Sequence, residues 1–353
     1  MLSAALTAML QRIFDYLKAA IGARGDHPQR SDPQPTHIPP IIPAASRARP
    51  AAELLLLSHF KSASSADTIS RADQWTHALG MSPSRAIKKL LKEGLLDTAP
   101  LERSLQANFN AVQLKALAKE KGLPVSGTKK TLAERLATTS QDIATLLEGQ
   151  TFLTCTPSGL SAVEQFETQT AAAKQAAQNA SLAALQAGRL REACLAVAHY
   201  ESHQVFSRGI GMNWATYGNG SELRVLQFLF SRCPAQIRHY PPDRILMLRI
   251  AAGMIHLWGL SNPSPWLLPF QADPWPPEVA ARMLLFYAQH FQRVEELKAA
   301  RMTRAVVMGC DLDQCPECRK QDGKVYRFDK LPDIPFAKCT CPDGCRCMMR
   351  AEV

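Results

Sequence analysis

Asn110–Leu136 reads NAVQLKALAKEKGLPVSGTKKTLAERL, and its punctuation spells two short helices around a tight loop. Asn110 can cap the first helix, its side-chain oxygen accepting an otherwise orphaned backbone N–H. Leu114, Leu117 and Ala118 recur at helical spacing, with Lys115, Lys119 and Lys121 outside that stripe. Gly122 stands where a C′ glycine ends a helix, and Leu123 follows as the usual apolar contact beyond it. Pro124-Val125-Ser126-Gly127 make the turn. Thr128 is placed to cap a second helix that carries Leu132 and Leu136 inward and Lys129, Lys130 and Arg135 outward.

Between Asn108 and Thr139 the bases Lys115, Lys119, Lys121, Lys129, Lys130 and Arg135 stand against two acids, Glu120 and Glu134. A helix start with outward N–H groups and two flanking lysines suits a phosphate. A hairpin with a merely solvated charged face has the same composition. The order of residues adds to this. The run Leu114-Lys115, Leu117, Gly122-Leu123, Ser126-Gly127, Lys129, Leu132, Arg135-Leu136 resembles the SAP motif, a small helix–loop–helix DNA-binding module. The resemblance covers nearly the whole motif but under a tenth of the chain. It implies contact at the start of the second helix, here Gly127, Thr128, Lys129 and Lys130, with Lys115 and Arg135 nearby. SAP modules also serve in RNA and protein contact, so nucleic acid is implied more firmly than duplex DNA.

The chain has 353 residues, 46% of them apolar and 20% charged, with a formal net charge of +10. That length is enough for two or three globular domains, and the positive excess suits a polyanionic partner. No run of about 18 uncharged apolar residues exists, so no transmembrane helix is expected. Residues 2–21 place Leu2, Leu6, Met9, Leu10, Ile13, Phe14, Leu17 and Ile21 on one helical face. Arg12, Asp15 and Lys18 break any secretory h-region, so the stretch reads as a docking or self-association helix. A membrane-surface anchor is the alternative. The Pro-rich residues 22–50 read as a linker.

The expected fold is mainly α and multi-domain: helix 1–21, linker 22–50, a helical unit 51–107, the SAP-like segment 108–139, a helical domain 140–305 and a Cys-rich module 306–353. Within the first helical unit, Leu79–Leu96 is LGMSPSRAIKKLLKEGLL. Gly80 makes a turn, Ser82 caps a helix that Pro83 opens, and Ile87, Leu90 and Leu91 face inward. Arg85, Lys88 and Lys89 are left outside, and Gly94-Leu95-Leu96 can enter a strand. The pattern resembles the turn and recognition helix of a winged helix-turn-helix, which implies Arg85, Lys88 and Lys89 in a DNA groove. An ordinary helical pair reads the same way. Thr151–Cys155 is a short strand candidate, and Thr156-Pro157-Ser158-Gly159 opens another helix. Residues 165–187 read as a long, partly exposed helix, Leu190–Phe206 as a stronger amphipathic segment, and Val279–Lys298 as the last long helix. The connection GIGMNWATYGNG at 209–220 lacks the strand and the Gly-Lys-Ser/Thr of a phosphate loop.

Seven of the ten cysteines lie between Cys310 and Cys347. Cys155, Cys194 and Cys233 sit among apolar neighbours and read as buried thiols. In the tail, Cys315-x2-Cys318 offers two thiolates from one turn, and Cys339, Cys341, Cys345 and Cys347 offer more about 20 residues later. A hairpin between them, with Asp322-Gly323 as turn and Lys324–Phe328 as strand, brings the pairs into tetrahedral geometry for a structural Zn2+. Cys315 and Cys318 are the firmest ligands, and Cys339 with Cys345 or Cys347 completes the favoured set. Spacing does not choose among the last four cysteines, and a second metal or an iron–sulfur cluster stays open. Disulfides are the competing use. With no secretion signal legible, a reducing, cytoplasmic setting is expected, which favours metal. The pattern C-x2-C-x3-D-G-K-V-Y with a final C-R-C also resembles the C-terminal end of phage head-morphogenesis proteins. The usual His-Pro before that final pair is replaced here by Lys338-Cys339-Thr340-Cys341, so only a prophage or mobile-element origin is implied.

Catalytic signals are thin. His199 and His203 lie one turn apart, but Tyr200 stands where a zincin has Glu, and Glu201 comes one position late. Asp311 and Asp313 could hold a cation for phosphodiester cleavage. The leading expectation is a DNA- or RNA-binding protein with a structural zinc module, more a binder than an enzyme. A metal-dependent nuclease or phage-associated processing factor is the second reading. The third is an assembly protein that forms homo-oligomers or docks partners through residues 2–21.

Overall fold

The computed structural model describes residues 49–67, 73–139, 141–208, 220–260, 263–267, 275–309 and 314–352. The expected helix at 2–21, nearly all of the 22–50 linker and of the 209–220 connection, and Asp311 and Asp313 lie outside them. The described chain is mainly helical, with two small antiparallel sheets. Among the described residues, no helix is long and apolar enough to cross a membrane.

The chain enters through helix α1 (Ala51–Ser58), strand β1 (Ser64–Ser65), helices α2 (Asp73–Leu79) and α3 (Pro83–Lys92), and strand β2 (Leu96–Thr98). In α3, Ala86, Ile87 and Leu90 are buried at three- and four-residue spacing while Arg85, Lys88 and Lys92 stay exposed. Pro83 opens the helix as expected. Ser82 stands at the N-cap in extended conformation, but its hydroxyl makes no capping bond; only its carbonyl is used, accepting from the N–H of Arg85 and Ala86. The helix closes with the paired bonds of a Schellman end, Leu95 N–H to Leu90 O (3.0 Å) and Gly94 N–H to Leu91 O (3.0 Å).

Strand β2 does not turn straight back. Helices α4 (Leu101–Asn108), α5 (Ala111–Glu120) and α6 (Lys129–Thr139) and a 3-10 turn at Gln141–Leu147 intervene before strand β3 (Phe152–Cys155). Strand β3 then runs antiparallel to both earlier strands, giving the order β1-β3-β2. Its register sets Leu153 opposite Ser64 on one side and Thr98 on the other. The two ends of the interposed segment are therefore neighbours, with Ala99 N–H donating to Phe152 O at 2.9 Å. Leu56, Leu57, Phe60, Trp75, Ile87, Leu90, Leu153 and Cys155 share one buried cluster; Leu105, Leu114, Leu132, Leu136 and Ile143 share another. Leu105 lies before residue 108 and Leu114 after it, so a line drawn there passes through one core.

Helix α7 (Pro157–Gln186) starts against the sheet. Thr156 caps it, accepting from Gly159 N–H at 3.2 Å, and its hydroxyl donates to Gly94 O at 2.7 Å. Gly159 is held by close approach: a Cβ there would meet Leu95 O at 2.1 Å. At about 1.5 Å per residue the helix is about 45 Å long. Val163 is buried in the first cluster and Ala177, Ala184 and Leu185 in the helical one, yet no residue from 164 to 176 is buried. The expected long, partly exposed helix is this strut. Its far end packs with α8 (Leu190–Ser202), α9 (Ser221–Ser231), α10 (Pro242–Trp258) and α11 (Pro277–Ala299) around Leu226, Leu248, Met254, Trp258 and Leu284. Strand β4 (Arg304–Met308) follows, paired with β5 (Val325–Arg327) and β6 (Met348–Ala351) in the order β5-β4-β6, with helix α12 (Pro316–Gln321) between.

Candidate nucleic-acid interface and metal centre

The hairpin of α5 and α6 is built by its own local bonds. Asn110 Oδ1 accepts from Gln113 N–H at 2.9 Å while Gln113 Oε1 accepts from Asn110 N–H at 2.8 Å, a capping box. At the other end Gly122 takes φ +66°, which a side chain disfavours, and lets Leu123 N–H reach Ala118 O at 2.8 Å. Leu114, Ala118, Leu132, Ala133 and Leu136 are wholly buried. Gly127, with φ +118°, brings the chain to Thr128, whose hydroxyl caps α6 by accepting from Thr131 N–H at 3.2 Å.

This leaves one end of the hairpin polar and open. Gly127, Thr128, Lys129 and Lys130 are exposed, as is Lys115 on α5. Lys130 lies 3.9 Å from Glu134, an exposed pair that salt screens easily. The N–H groups of Lys129 and Lys130, in the first turn, have no acceptor within the helix. Arg135 is placed differently. Half-buried, it turns back on the loop and donates to the carbonyls of Pro124 and Ser126, the latter at 3.1 Å. Its charge stays near the interface while its hydrogen bonds hold the loop that presents Gly127.

On α3, Arg85 and Lys88 are exposed, but Lys89 is not at liberty: its Nζ lies 2.6 Å from Glu53, a buried carboxylate that Arg49 also holds at 2.9 Å. A buried charge must be paired, and Glu53 draws that pairing from both Lys89 and Arg49. Sequence reading had no means to see Glu53, 36 positions away, as its partner.

The six described cysteines of the tail are all buried, around the sheet formed by β4, β5 and β6. Cys315, Cys318, Cys339 and Cys341 bring their sulfurs within 4.8 Å of one another, and Cys318, Cys345 and Cys347 form a second such group. Cys341, which spacing does not separate from Cys339, Cys345 and Cys347, thus lies in the four-sulfur group. A tetrahedral metal with bonds of about 2.3 Å needs sulfurs about 3.8 Å apart. The Cys318–Cys339, Cys318–Cys341 and Cys315–Cys339 separations are 3.5, 3.6 and 3.9 Å. Two backbone N–H groups point at sulfur, Cys315 to Cys341 Sγ and Thr340 to Cys315 Sγ, each at 3.4 Å. Burial, with Cys345 alongside, pushes the Cys318 thiol far up, and burial pushes Cys341 up to about 11. Sulfurs this close could all ionise only around a cation, and the donor set fits one.

Outside these places the chemistry is modest. His199 and His203 pack edge to face at 4.7 Å between ring centres, His203 bonds to the His199 carbonyl, and Glu201 is buried in an ion pair with Arg208 at 2.8 Å. Cys155 and Cys194 are buried and Cys233 is half-buried. Burial raises the Cys155 thiol to about 11, the mark of an inert core cysteine.

Fold and site together define a mainly helical protein with a basic helix–loop–helix end and a thiol cluster suited to a metal ion. Residues 107–138 match the family model of the SAP domain, which ties the chain to nucleic-acid binding. No curated protein matches the chain, nor does any solved structure.

Proposed function

We propose that this chain binds DNA through the SAP hairpin, carried on a winged-helix-like unit in which the hairpin takes the place of the wing. The observation that carries the reading is the exposed Gly127–Lys130 end of α6 inside the matched segment. The winged-helix part is supported by the order α1-β1-α2-α3-β2-β3, the sheet order β1-β3-β2, and the insertion of residues 100–151 between its last two strands. Arg85 and Lys88 on α3 and Lys115, Lys129 and Lys130 on the hairpin supply the positive contacts, and Arg135 holds the loop. On this reading the chain divides into a DNA unit, a strut, a helical domain of unassigned ligand and a C-terminal module closed by zinc on Cys315, Cys318, Cys339 and Cys341. Four thiolates leave no open position, so this metal is structural. The protein works in a reducing, cytoplasmic setting, where such thiols remain available to metal.

The test is a salt-series titration of duplex DNA, single-stranded DNA and RNA with the full chain and the Lys129→Ala/Lys130→Ala variant. The variant is expected to bind every duplex sequence more weakly, with a log–log salt slope smaller by about one for each lost phosphate contact. Unchanged affinity and slope would remove the hairpin from binding. A larger loss on RNA than on duplex DNA would transfer the same surface to RNA.

A further inference from the structure

The four-thiol zinc site uses only part of the cluster. Cys345 and Cys347 are buried to the same degree as the other four, at 1% and 7% exposure. Their sulfurs form the second group with Cys318, whose Sγ lies 3.8 Å from that of Cys345. That separation is again the edge of a thiolate tetrahedron. Cys318 therefore belongs to both groups. Cys339, 3.5 Å from Cys318, stays with the first group, so Cys318 is the sulfur common to the two. Two metal sites that share the Cys318 sulfur take up all six described cysteines of the tail, four in one group and three in the other.

We propose that the C-terminal module holds two divalent metal ions in one thiolate cluster, with Cys318 bridging, Cys315, Cys339 and Cys341 completing one site, and Cys345 and Cys347 the protein ligands of the other. This rests on the zinc reading above and extends it. The chemistry is soft-metal coordination, suited to zinc, cadmium or cobalt(II). Binding releases the thiol protons, and no electron transfer is involved.

The test uses the full chain, prepared under reducing conditions and loaded with zinc, in native mass spectrometry. Two zinc ions per chain are expected, and one in the Cys345→Ser/Cys347→Ser variant, which keeps the first four ligands. Cobalt(II) titration gives a readout independent of stoichiometry. The paramagnetic signal of the first equivalent should fall as the second enters, because bridging thiolate couples the two ions. No metal at all would defeat the zinc reading itself. One zinc per chain, with Cys345 and Cys347 alkylated by iodoacetamide in the folded, metal-loaded protein, would leave that reading standing and overturn the second site. Two ions with independent, additive paramagnetism would overturn the bridging.

Discussion

His290 shows how one side chain can set the acid limit of the helical domain. It lies on α11 at 8% exposure, and its Nδ1 has no hydrogen-bond partner among the described residues. Burial pushes its pKa down to about 4, against a smaller upward pull from Asp333. An unfolded histidine titrates near 6.5, so between about pH 6.5 and 4 the unfolded chain binds the extra proton and the folded one does not. The neutral imidazole thus contributes stability that is full above about pH 6.5 and lost as the pH falls toward 4. The size is on the order of 3 kcal/mol at most. His256 on α10, also lowered by burial, acts in the same direction. We expect the urea midpoint of the helical domain to fall across this window and the fall to shrink in His290→Gln. An equal fall in both proteins would place the acid sensitivity elsewhere.

At the scale of elements, what could be read from the sequence was what short-range bonds decide. The Asn110 and Thr128 caps, the Gly122 helix end, the helix from Pro83 and the Thr156-Pro157 start are each set by a few neighbouring residues. The sequence therefore carries them openly. The Cys315-x2-Cys318 turn is local in the same sense, whereas a fold, not a spacing, selects among Cys339, Cys341, Cys345 and Cys347. The sheet is the contrary case. Thr98 pairs with Leu153 across the whole hairpin, and nothing in either short strand names the other. Lys89 with Glu53 and Arg135 with Pro124 are hidden for the same reason, since contact at a distance leaves no periodic trace. The long-range pairing also makes a prediction. Because Ala99 and Phe152 are hydrogen-bonded and are the only buried residues outside 100–151 in the described hairpin cluster, residues 100–151 should be removable. Joining Ala99 to Phe152 by Asn-Gly, a turn suited to right-twisted antiparallel strands, with Phe152→Thr to spare the uncovered ring, should leave a cooperatively folding protein. Its DNA affinity should drop to the level that Arg85 and Lys88 alone provide. A chain that no longer unfolds cooperatively would show that the hairpin is part of the sheet's core.

Across the whole molecule, the mechanical question is which parts stand or fall together. The strut buries no residue between 164 and 176, and Trp75 meets Phe206 in a single edge-on pair at 4.9 Å, worth about 1 kcal/mol. Coupling between the N-terminal sheet unit and the helical domain through these is weak. The cysteine module is tied far more closely to the helices. Trp275 donates its buried indole N–H to Cys341 O at 2.8 Å, and Gln236 reaches Phe336 O at 2.5 Å. These bonds end on the very segment that carries the thiols, so metal should stabilise the helical domain along with its own module. A metal bound only by the folded state adds about 4 kcal/mol when its free concentration is a thousand times its Kd. Thermal unfolding should therefore show two transitions. Chelation under reducing conditions should lower the one reported by tryptophan emission from the helical domain, and leave in place the one reported by loss of DNA binding. If both moved together, the strut would be transmitting stability; if neither moved, Trp275 and Gln236 would not be coupling the metal module to the bundle.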